Sequence, residues 1–148
     1  MKRILYPILF TALLLTACSG QKAQETAKAP AAEQQTGQLA YGDISVEQAR
    51  QLIEKNKDSD QFVILDTRTP QEFQQGHIPG ATLLNIFDKD FAAKLDSLDK
   101  SKTFLVHCAS GGRSRRAMQM MQSKGFDKVY HMYQGMRGWA AKGYETTR

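Results

Sequence analysis

The residues best suited to covalent chemistry are a cysteine and an arginine in the stretch HCASGGRSRRAM, residues 107–118. Cys108 follows an apolar run, and four small residues separate it from Arg113: Ala109, Ser110, Gly111 and Gly112. Such small side chains let the backbone curl around the cysteine, so that N–H groups can form a cradle for an anion. The thiolate is the nucleophilic form of cysteine, and a helix N-terminus lowers the thiol pKa. The spacing therefore predicts a nucleophilic Cys108 inside an anion-binding loop.

Three arginines stand where the helix after this loop is expected to begin. Arg113, Arg115 and Arg116 oppose the positive end of the helix dipole, at a cost of about 0.3–1 kcal/mol each. A docked anion offsets that cost, and Arg113 closes the loop, so we expect Arg113 to bind the anion. A solvated helix face explains Arg115 and Arg116 equally well, and Arg115 is a candidate pocket residue. The alternative for Cys108 itself is a buried, inert side chain.

The elements that must position these residues alternate between strand and helix. Apolar runs predict strands at residues 62–66, 81–86, 103–107 and 128–132. Helical periodicity, capping residues and terminal glycines predict helices at residues 45–55, 69–76, 88–98, 114–125 and 135–143. This alternation indicates an α/β domain with a mainly parallel sheet, in which ligands bind beyond the carboxyl ends of strands. Cys108 directly follows a predicted strand, so the topology supports a site there.

The first 40 residues have the composition of an export signal and a tether. A basic start and a short apolar core lead to Leu15-Thr16-Ala17-Cys18, which resembles the lipobox of bacterial lipoproteins. That resemblance implies a signal peptide at residues 1–17, a lipid on Cys18 that anchors the protein to a membrane, and a flexible tether at 18–40. Ser19 is not acidic, so we expect an outer-membrane anchor facing the periplasm, with a folded domain at 41–148.

Composition excludes one class of partner and isolates one thiol. The chain has 20 Lys and Arg against 15 Asp and Glu, and two of the basic residues lie in the signal peptide. The remaining positive charge is mild and no basic run is interleaved with aromatics, so no nucleic-acid partner is expected. With Cys18 lipidated, Cys108 is a single exported thiol. Such a thiol is either reactive or forms a disulfide that links two copies.

Three separated motifs resemble a single-domain rhodanese over residues 41 to about 146: DTRTPQEFQQGHIPGATLLN at 66–85, CASGGRS at 108–114 and GMRGW at 135–139. The resemblance implies a rhodanese-like α/β fold, with a mainly parallel central sheet flanked by helices on both faces. It implies that Cys108 takes a sulfane sulfur from thiosulfate or a similar small anionic donor and becomes a persulfide. The sulfur then passes to cyanide or a thiol, without a cofactor.

The same resemblance assigns roles around the cysteine. Residues 109–113 form the cradle and Ser114 starts the helix. The upstream signature shapes the pocket wall, and it comprises Asp66, Arg68, Glu72 and residues 76–81. We expect an Arg68–Glu72 ion pair one helical turn apart. Arg68 and His77 are candidate pocket residues, although a structural role in the turn suits His77 better.

Other functions remain open from the residues alone. Phosphatases of related fold use Cys-x5-Arg, one residue longer than the Cys-x4-Arg found here, and this loop offers no acidic residue to protonate a leaving alkoxide. A second function is a sulfur carrier or redox-sensing module that acts on an unidentified partner protein with little turnover of its own.

Several other side chains could take part in chemistry, but structural roles suit them better. We expect His107 to be a strand residue rather than a base, because neighbouring strand residues point to opposite faces. Trp139 is expected to anchor the packing of the last helix. A methionine cluster with His131 could suit copper, yet methionine commonly fills cores, and no metal is expected. The cluster comprises Met118, Met120, Met121, Met132 and Met136.

Overall fold

Strands and helices alternate along residues 41–148, which are the residues that the computed structural model describes. The strands are β1 (Gly42–Ile44), β2 (Phe62–Asp66), β3 (Thr82–Leu83), β4 (Thr103–His107) and β5 (Val129–Met132). The helices are α1 (Val46–Lys55), α2 (Pro70–Gln75), α3 (Phe91–Asp96), α4 (Gly112–Ser123) and α5 (Gly135–Ala141). The predicted signal peptide, the lipid on Cys18 and the tether all fall outside the described residues. Within residues 41–148, no helix is long and apolar enough to cross a membrane.

The strands form one parallel sheet in the order β1-β5-β4-β2-β3. Strand β4 is central and alternates its side chains between two cores: Phe104 and Val106 face one, and Leu105 faces the other. Residues of α1 and α5 fill the core on the Leu105 side, and residues of α3 and α4 fill the opposite one. The predicted α/β fold, with helices on both faces of a parallel sheet, is confirmed. Cys108 follows the carboxyl end of the central strand.

Two helices begin as their sequences predict. The side chain of Ser45 accepts a hydrogen bond from the Gln48 amide, and the Gln48 side-chain oxygen accepts one from the Ser45 amide. Thr69 and Glu72 form the same reciprocal box, with Pro70 as the first residue of the helix. These boxes satisfy amides that a helix leaves without intrahelical partners, which is why they mark helix starts.

Helix α3 is shorter than predicted, at Phe91–Asp96 instead of 88–98, and three elements of the sheet and the reactive loop also differ from the prediction. Strand β1 was not predicted, because three residues give too short a pattern; pairing with β5 makes it a strand. Strand β3 is confined to Thr82–Leu83, since only those residues pair with β2. Helix α4 begins at Gly112, two residues before the predicted start at Ser114, because left-handed Gly111 turns the chain into the helix. Ser114 therefore lies inside the first turn of α4.

Candidate active site

The loop between β4 and α4 wraps around the Cys108 sulfur. Gly111 has a φ of 90°, a left-handed conformation that glycine adopts without a steric penalty. A Cβ on Gly111 would overlap the carbonyl oxygen of Tyr133, so the backbone of the loop approaches β5 more closely than any side chain allows. The glycine is needed here both for the turn and for this approach.

The start of α5 holds the same loop from behind. The Met136 amide donates to the Cys108 carbonyl at 2.8 Å, and the Arg137 amide donates to the Ala109 carbonyl at 2.9 Å. A Cβ on Gly135 would run into both of those residues. Amides at the N-terminus of a helix lack intrahelical partners, so α5 can use them to fix the loop. The sequence analysis noted GMRGW as a motif but did not predict this function for it.

Two hydrogen bonds reach the Cys108 sulfur, and the side chain is only 1% exposed. The Gly111 amide donates to Sγ at 3.2 Å, and the Ser114 hydroxyl lies 3.4 Å from Sγ. Burial alone would raise the pKa of the thiol. Hydrogen bonds from the Ser114 side chain and from backbone amides of the loop outweigh burial and lower that pKa. The site therefore favours the thiolate, which is the reactive form.

Arg113 is held in place by Glu72. Its two terminal nitrogens donate to the two carboxylate oxygens at 2.7 and 2.6 Å, the bidentate geometry that suits guanidinium and carboxylate. The hydrogen bonds from Arg113 hold the pKa of the Glu72 carboxyl at about 2. The predicted Arg68–Glu72 pair is therefore wrong: Glu72 faces the loop, and Arg68 has other partners. The exposed Phe87 ring lies 5.8 Å from the Arg113 guanidinium.

The other candidate pocket residues lie in structural contacts. Arg68 is buried and binds the Asp66 carboxylate and the Gly76 carbonyl oxygen, which ties β2 to the turn after α2. His77 stacks on Phe73, with ring centroids 3.6 Å apart, and its Nδ1 lies 3.0 Å from the Phe73 carbonyl oxygen. None of these bonds involves the reactive loop.

The two arginines that follow Arg113 have different surroundings. Arg115 donates to Asp43 Oδ2 at 2.7 Å, whereas Arg116 lies exposed on α4. Arg113 and Arg115 thus each meet a carboxylate of the protein itself. These carboxylates, which the sequence analysis did not pair with the arginines, offset the cost of placing cations at the start of a helix.

His107 is fully buried next to Cys108. Its Nε2 lies 3.9 Å from Asp66 Oδ2, too far for a hydrogen bond, and neither ring nitrogen has a hydrogen-bond partner among the described residues. Burial lowers the His107 pKa to about 4, against the attraction of Asp66. A neutral, buried imidazole without a bond to the sulfur is a strand residue, as the sequence analysis expected.

A second histidine, His131, does reach the loop. Its Nε2 lies 2.9 Å from Ser114 Oγ and 3.0 Å from the Gly111 carbonyl oxygen, and its Nδ1 lies 2.7 Å from Asp43 Oδ1. The sequence suggests only a copper ligand for His131 and gives no signal for Asp43. The methionines of that copper hypothesis are divided between the two cores of the sheet. No three His, Cys, Asp or Glu side chains in residues 41–148 are grouped as metal ligands.

Comparison with known proteins places this loop in a family. The model of the rhodanese-like domain matches residues 45–142, about two thirds of the chain. The chain belongs to the rhodanese family. The thiosulfate sulfurtransferase GlpE of Pseudoalteromonas translucida is 30% identical over 103 residues, which cover 70% of this chain and 92% of that protein. These matches support a domain of the rhodanese-like sulfurtransferase family, and Cys108 is present in it.

Two further rhodanese-family comparisons cover similar parts of the chain. A Bacillus subtilis protein named "Putative sulfur carrier protein YrkF" is 34% identical over 101 residues, which cover 68% of this chain and only about half (51%) of that relative. A rhodanese-related protein from Thermoplasma volcanium superposes with a TM-score of 0.61 over 72% of this chain and 98% of its own. At 24% identity, that structure supports the fold alone.

Proposed function

We propose that this rhodanese moves a sulfane sulfur from thiosulfate, or a similar small anionic donor, to cyanide or a thiol through a persulfide on Cys108. The observation that carries the proposal is the sulfur itself. It is buried, it accepts hydrogen bonds from Gly111 and Ser114, and its thiol pKa is lowered. Groups that stabilise a thiolate also stabilise the anionic persulfide, because the charged outer sulfur is bonded to Sγ and stays close to the same donors.

The first half-reaction is a displacement at sulfur. The Cys108 thiolate attacks the outer sulfur of thiosulfate and forms a sulfur–sulfur bond. The bond between that sulfur and the sulfonate group breaks, and its electron pair leaves with sulfite. Loop amides and Arg113 lie where they can hold the anionic donor, although Glu72 already neutralises part of the Arg113 charge.

The second half-reaction returns the enzyme to its starting state. Cyanide or an acceptor thiolate attacks the terminal sulfur of the persulfide, and the electron pair of the broken bond returns to Cys108 as thiolate. Neither half-reaction needs a general base, provided that the attacking thiol is already ionised. A Cys-x4-Arg loop without an acidic side chain suits this chemistry better than phosphate-ester hydrolysis, which needs a proton for its leaving group.

Thiocyanate formation from thiosulfate and cyanide tests the proposal. The purified protein is expected to turn over, and Cys108→Ser to lose all activity, because serine cannot form a persulfide. Cys18→Ser is the matched control, since it removes the other cysteine of the chain and is expected to keep full activity. A folded parent protein with a free Cys108 and no thiocyanate formation would contradict the proposed reaction.

A second function, a sulfur carrier for a partner protein, is favoured by the surroundings of the loop. Cys108 is 1% exposed while the Phe87 side chain beside Arg113 is 63% exposed. Aromatic side chains are enriched at protein–protein interfaces, and this ring lies beside the arginine of the reactive loop. Protein-bound persulfide, measured by mass spectrometry before and after an acceptor protein is added, distinguishes a carrier from an enzyme that turns over small thiols quickly.

We also propose that the protein is exported and held by a lipid on Cys18 at the outer membrane, facing the periplasm. Support comes from the Leu-Thr-Ala-Cys motif behind a signal-like core, and from Ser19 after it. Labelling of cells with a radioactive fatty acid, followed by membrane fractionation, tests this. Labelled protein in the outer-membrane fraction is expected, and label should vanish in Cys18→Ser while it persists in Cys108→Ser.

A further inference from the structure

A buried network of hydrogen bonds runs from the Cys108 sulfur through Ser114 to two side chains that the proposed reaction does not use, His131 and Asp43. It passes from Sγ to Ser114 Oγ at 3.4 Å, to His131 Nε2 at 2.9 Å, and from His131 Nδ1 to Asp43 Oδ1 at 2.7 Å. Ser114 and His131 have no exposed surface, and the Asp43 side chain is 41% exposed. Solvent therefore reaches this hydrogen-bond network only at Asp43.

The partners of His131 determine where its protons lie. The pKa of Asp43 is lowered, chiefly by the hydrogen bond with His131, so its carboxylate accepts and Nδ1 carries a proton. On the other side of the ring, Nε2 lies 3.0 Å from the Gly111 carbonyl oxygen, which can only accept. A second proton, on Nε2, satisfies that contact, whereas a bare nitrogen would face the oxygen lone pairs. The contacts thus call for a donor on each ring nitrogen, with Asp43 accepting at Nδ1 and Gly111 at Nε2.

The protonation of Nε2 decides the direction of the single Ser114 proton. With a proton on Nε2, the ring donates to Ser114 Oγ, and the hydroxyl is left to donate either to the Cys108 sulfur at 3.4 Å or to the Gly111 carbonyl oxygen at 3.1 Å. That carbonyl already accepts from the Arg115 amide at 2.9 Å, so the anionic sulfur is the better acceptor. Without that proton, Nε2 becomes an acceptor 2.9 Å from Oγ and draws the hydroxyl away from the sulfur. The sulfur then loses its hydrogen bond from a side chain and keeps those from loop amides such as Gly111.

We propose that Asp43 and His131 are positioning residues that keep the Ser114 hydroxyl donating its hydrogen bond to the Cys108 thiolate. Asp43 holds the charged ring from β1, where it is in register with His131 on β5. Arg115 of α4 binds the other Asp43 oxygen at 2.7 Å, so this carboxylate faces a guanidinium as well as the ring. The inference rests on the proposed function only in taking Cys108 as the reacting thiol.

Titration of the Cys108 thiolate by its ultraviolet absorbance tests this without any sulfur donor. The full chain is used on a Cys18→Ser background, so that Cys108 is its single thiol. His131→Gln and His131→Leu form a matched pair: both remove the charge of the ring, but only glutamine keeps an N–H donor for Ser114. Leucine is expected to raise the Cys108 pKa by about one unit, a tenfold loss of thiolate at a pH below that pKa, and glutamine to stay near the parent.

Asp43→Asn provides a second measurement that does not disturb the core. It is expected to raise the Cys108 pKa in the parent but to have no effect in His131→Gln, where no ring charge needs a carboxylate. Glu47→Gln removes another carboxylate that pairs with a surface lysine, and it is the control expected to change nothing. Equal titration curves for folded His131→Gln and His131→Leu, or an unchanged Cys108 pKa in Asp43→Asn, would overturn the proposal. If these shifts are seen but the parent protein forms no thiocyanate, the result counts against the proposed function instead.

Discussion

Replacing His107 with leucine is expected to remove a large part of the protein's sensitivity to mild acid. The His107 ring is fully buried at the end of β4, and neither nitrogen has a hydrogen-bond partner among residues 41–148. Burial disfavours the charged imidazolium and lowers the pKa from 6.5 to about 4, although Asp66 pulls in the opposite direction. The folded protein therefore resists a proton that the unfolded chain accepts.

The size of the effect follows from that difference in pKa. Above pH 6.5 the histidine is neutral in both states and costs nothing. As pH falls from 6.5 towards 4, the unfolded chain binds a proton and the folded protein does not, so the free energy of unfolding decreases. At about 1.36 kcal/mol per pKa unit, the loss is about 3 kcal/mol. That is a large share of the roughly 5–15 kcal/mol that stabilises a typical domain.

Urea unfolding of the parent and of His107→Leu, at several values of pH between about 7 and 4, measures this difference. At neutral pH the variant is expected to be at least as stable, because leucine has a similar size and leaves no buried polar atom unpaired. By pH 4 its advantage over the parent should grow by about 3 kcal/mol. Carboxylates such as Glu72 titrate in both proteins and cancel in the comparison.

Parallel stability curves for the two proteins would refute this reasoning. They would mean that the imidazole takes up its proton in the folded protein as readily as in the unfolded chain. The Asp66 carboxylate, 3.9 Å away, would then compensate for burial more fully than its geometry suggests.

Three further substitutions test the loop and its supports. Glu72→Gln can keep the capping box of α2 but removes the carboxylate that neutralises Arg113. In steady-state kinetics at low salt, the KM for thiosulfate should therefore fall severalfold. Added salt screens the Arg113 charge and should bring the KM back towards the parent value. Gly111→Ala should abolish sulfur transfer and lower the free energy of unfolding by about 2 kcal/mol or more, because its Cβ overlaps the Tyr133 carbonyl oxygen; an active, stable variant would show that the loop can shift. Trp139→Ala should cost about 3–5 kcal/mol in urea unfolding, since the buried ring also donates to the Glu145 carbonyl; a cost under about 1 kcal/mol would mean that it is not the packing residue expected.

Local sequence signals predicted most of the fold. The capping boxes at Ser45 and Thr69 span four residues each, and the apolar run of β4 is a single continuous segment. Such signals depend on neighbours along the chain, so they can be seen without the tertiary structure. The loop after β4 was predicted in the same way, from small residues between Cys108 and Arg113.

The contacts that were missed join residues far apart in the sequence. Glu72 lies 41 positions from Arg113, and Asp43 lies 88 positions from His131. The predicted Arg68–Glu72 pair used helical spacing, but Arg68 precedes α2 and is drawn back to Asp66. Strand β1 is defined only by its partner β5. The order of the strands in the sheet brings these residues together, and that order cannot be deduced from a single sequence.

The attachment of the reactive loop to α5 separates what must stay fixed from what is free to vary. Both bonds from α5 join its amides to main-chain atoms of Cys108 and Ala109, so a change of side chain at an exposed position of the loop leaves them intact. Ser110 and Gly112 are exposed, and a Cβ on Gly112 would meet no atom within 4 Å. Natural drift or a directed library at these two positions can therefore alter the choice of donor and acceptor while the sulfur keeps its place.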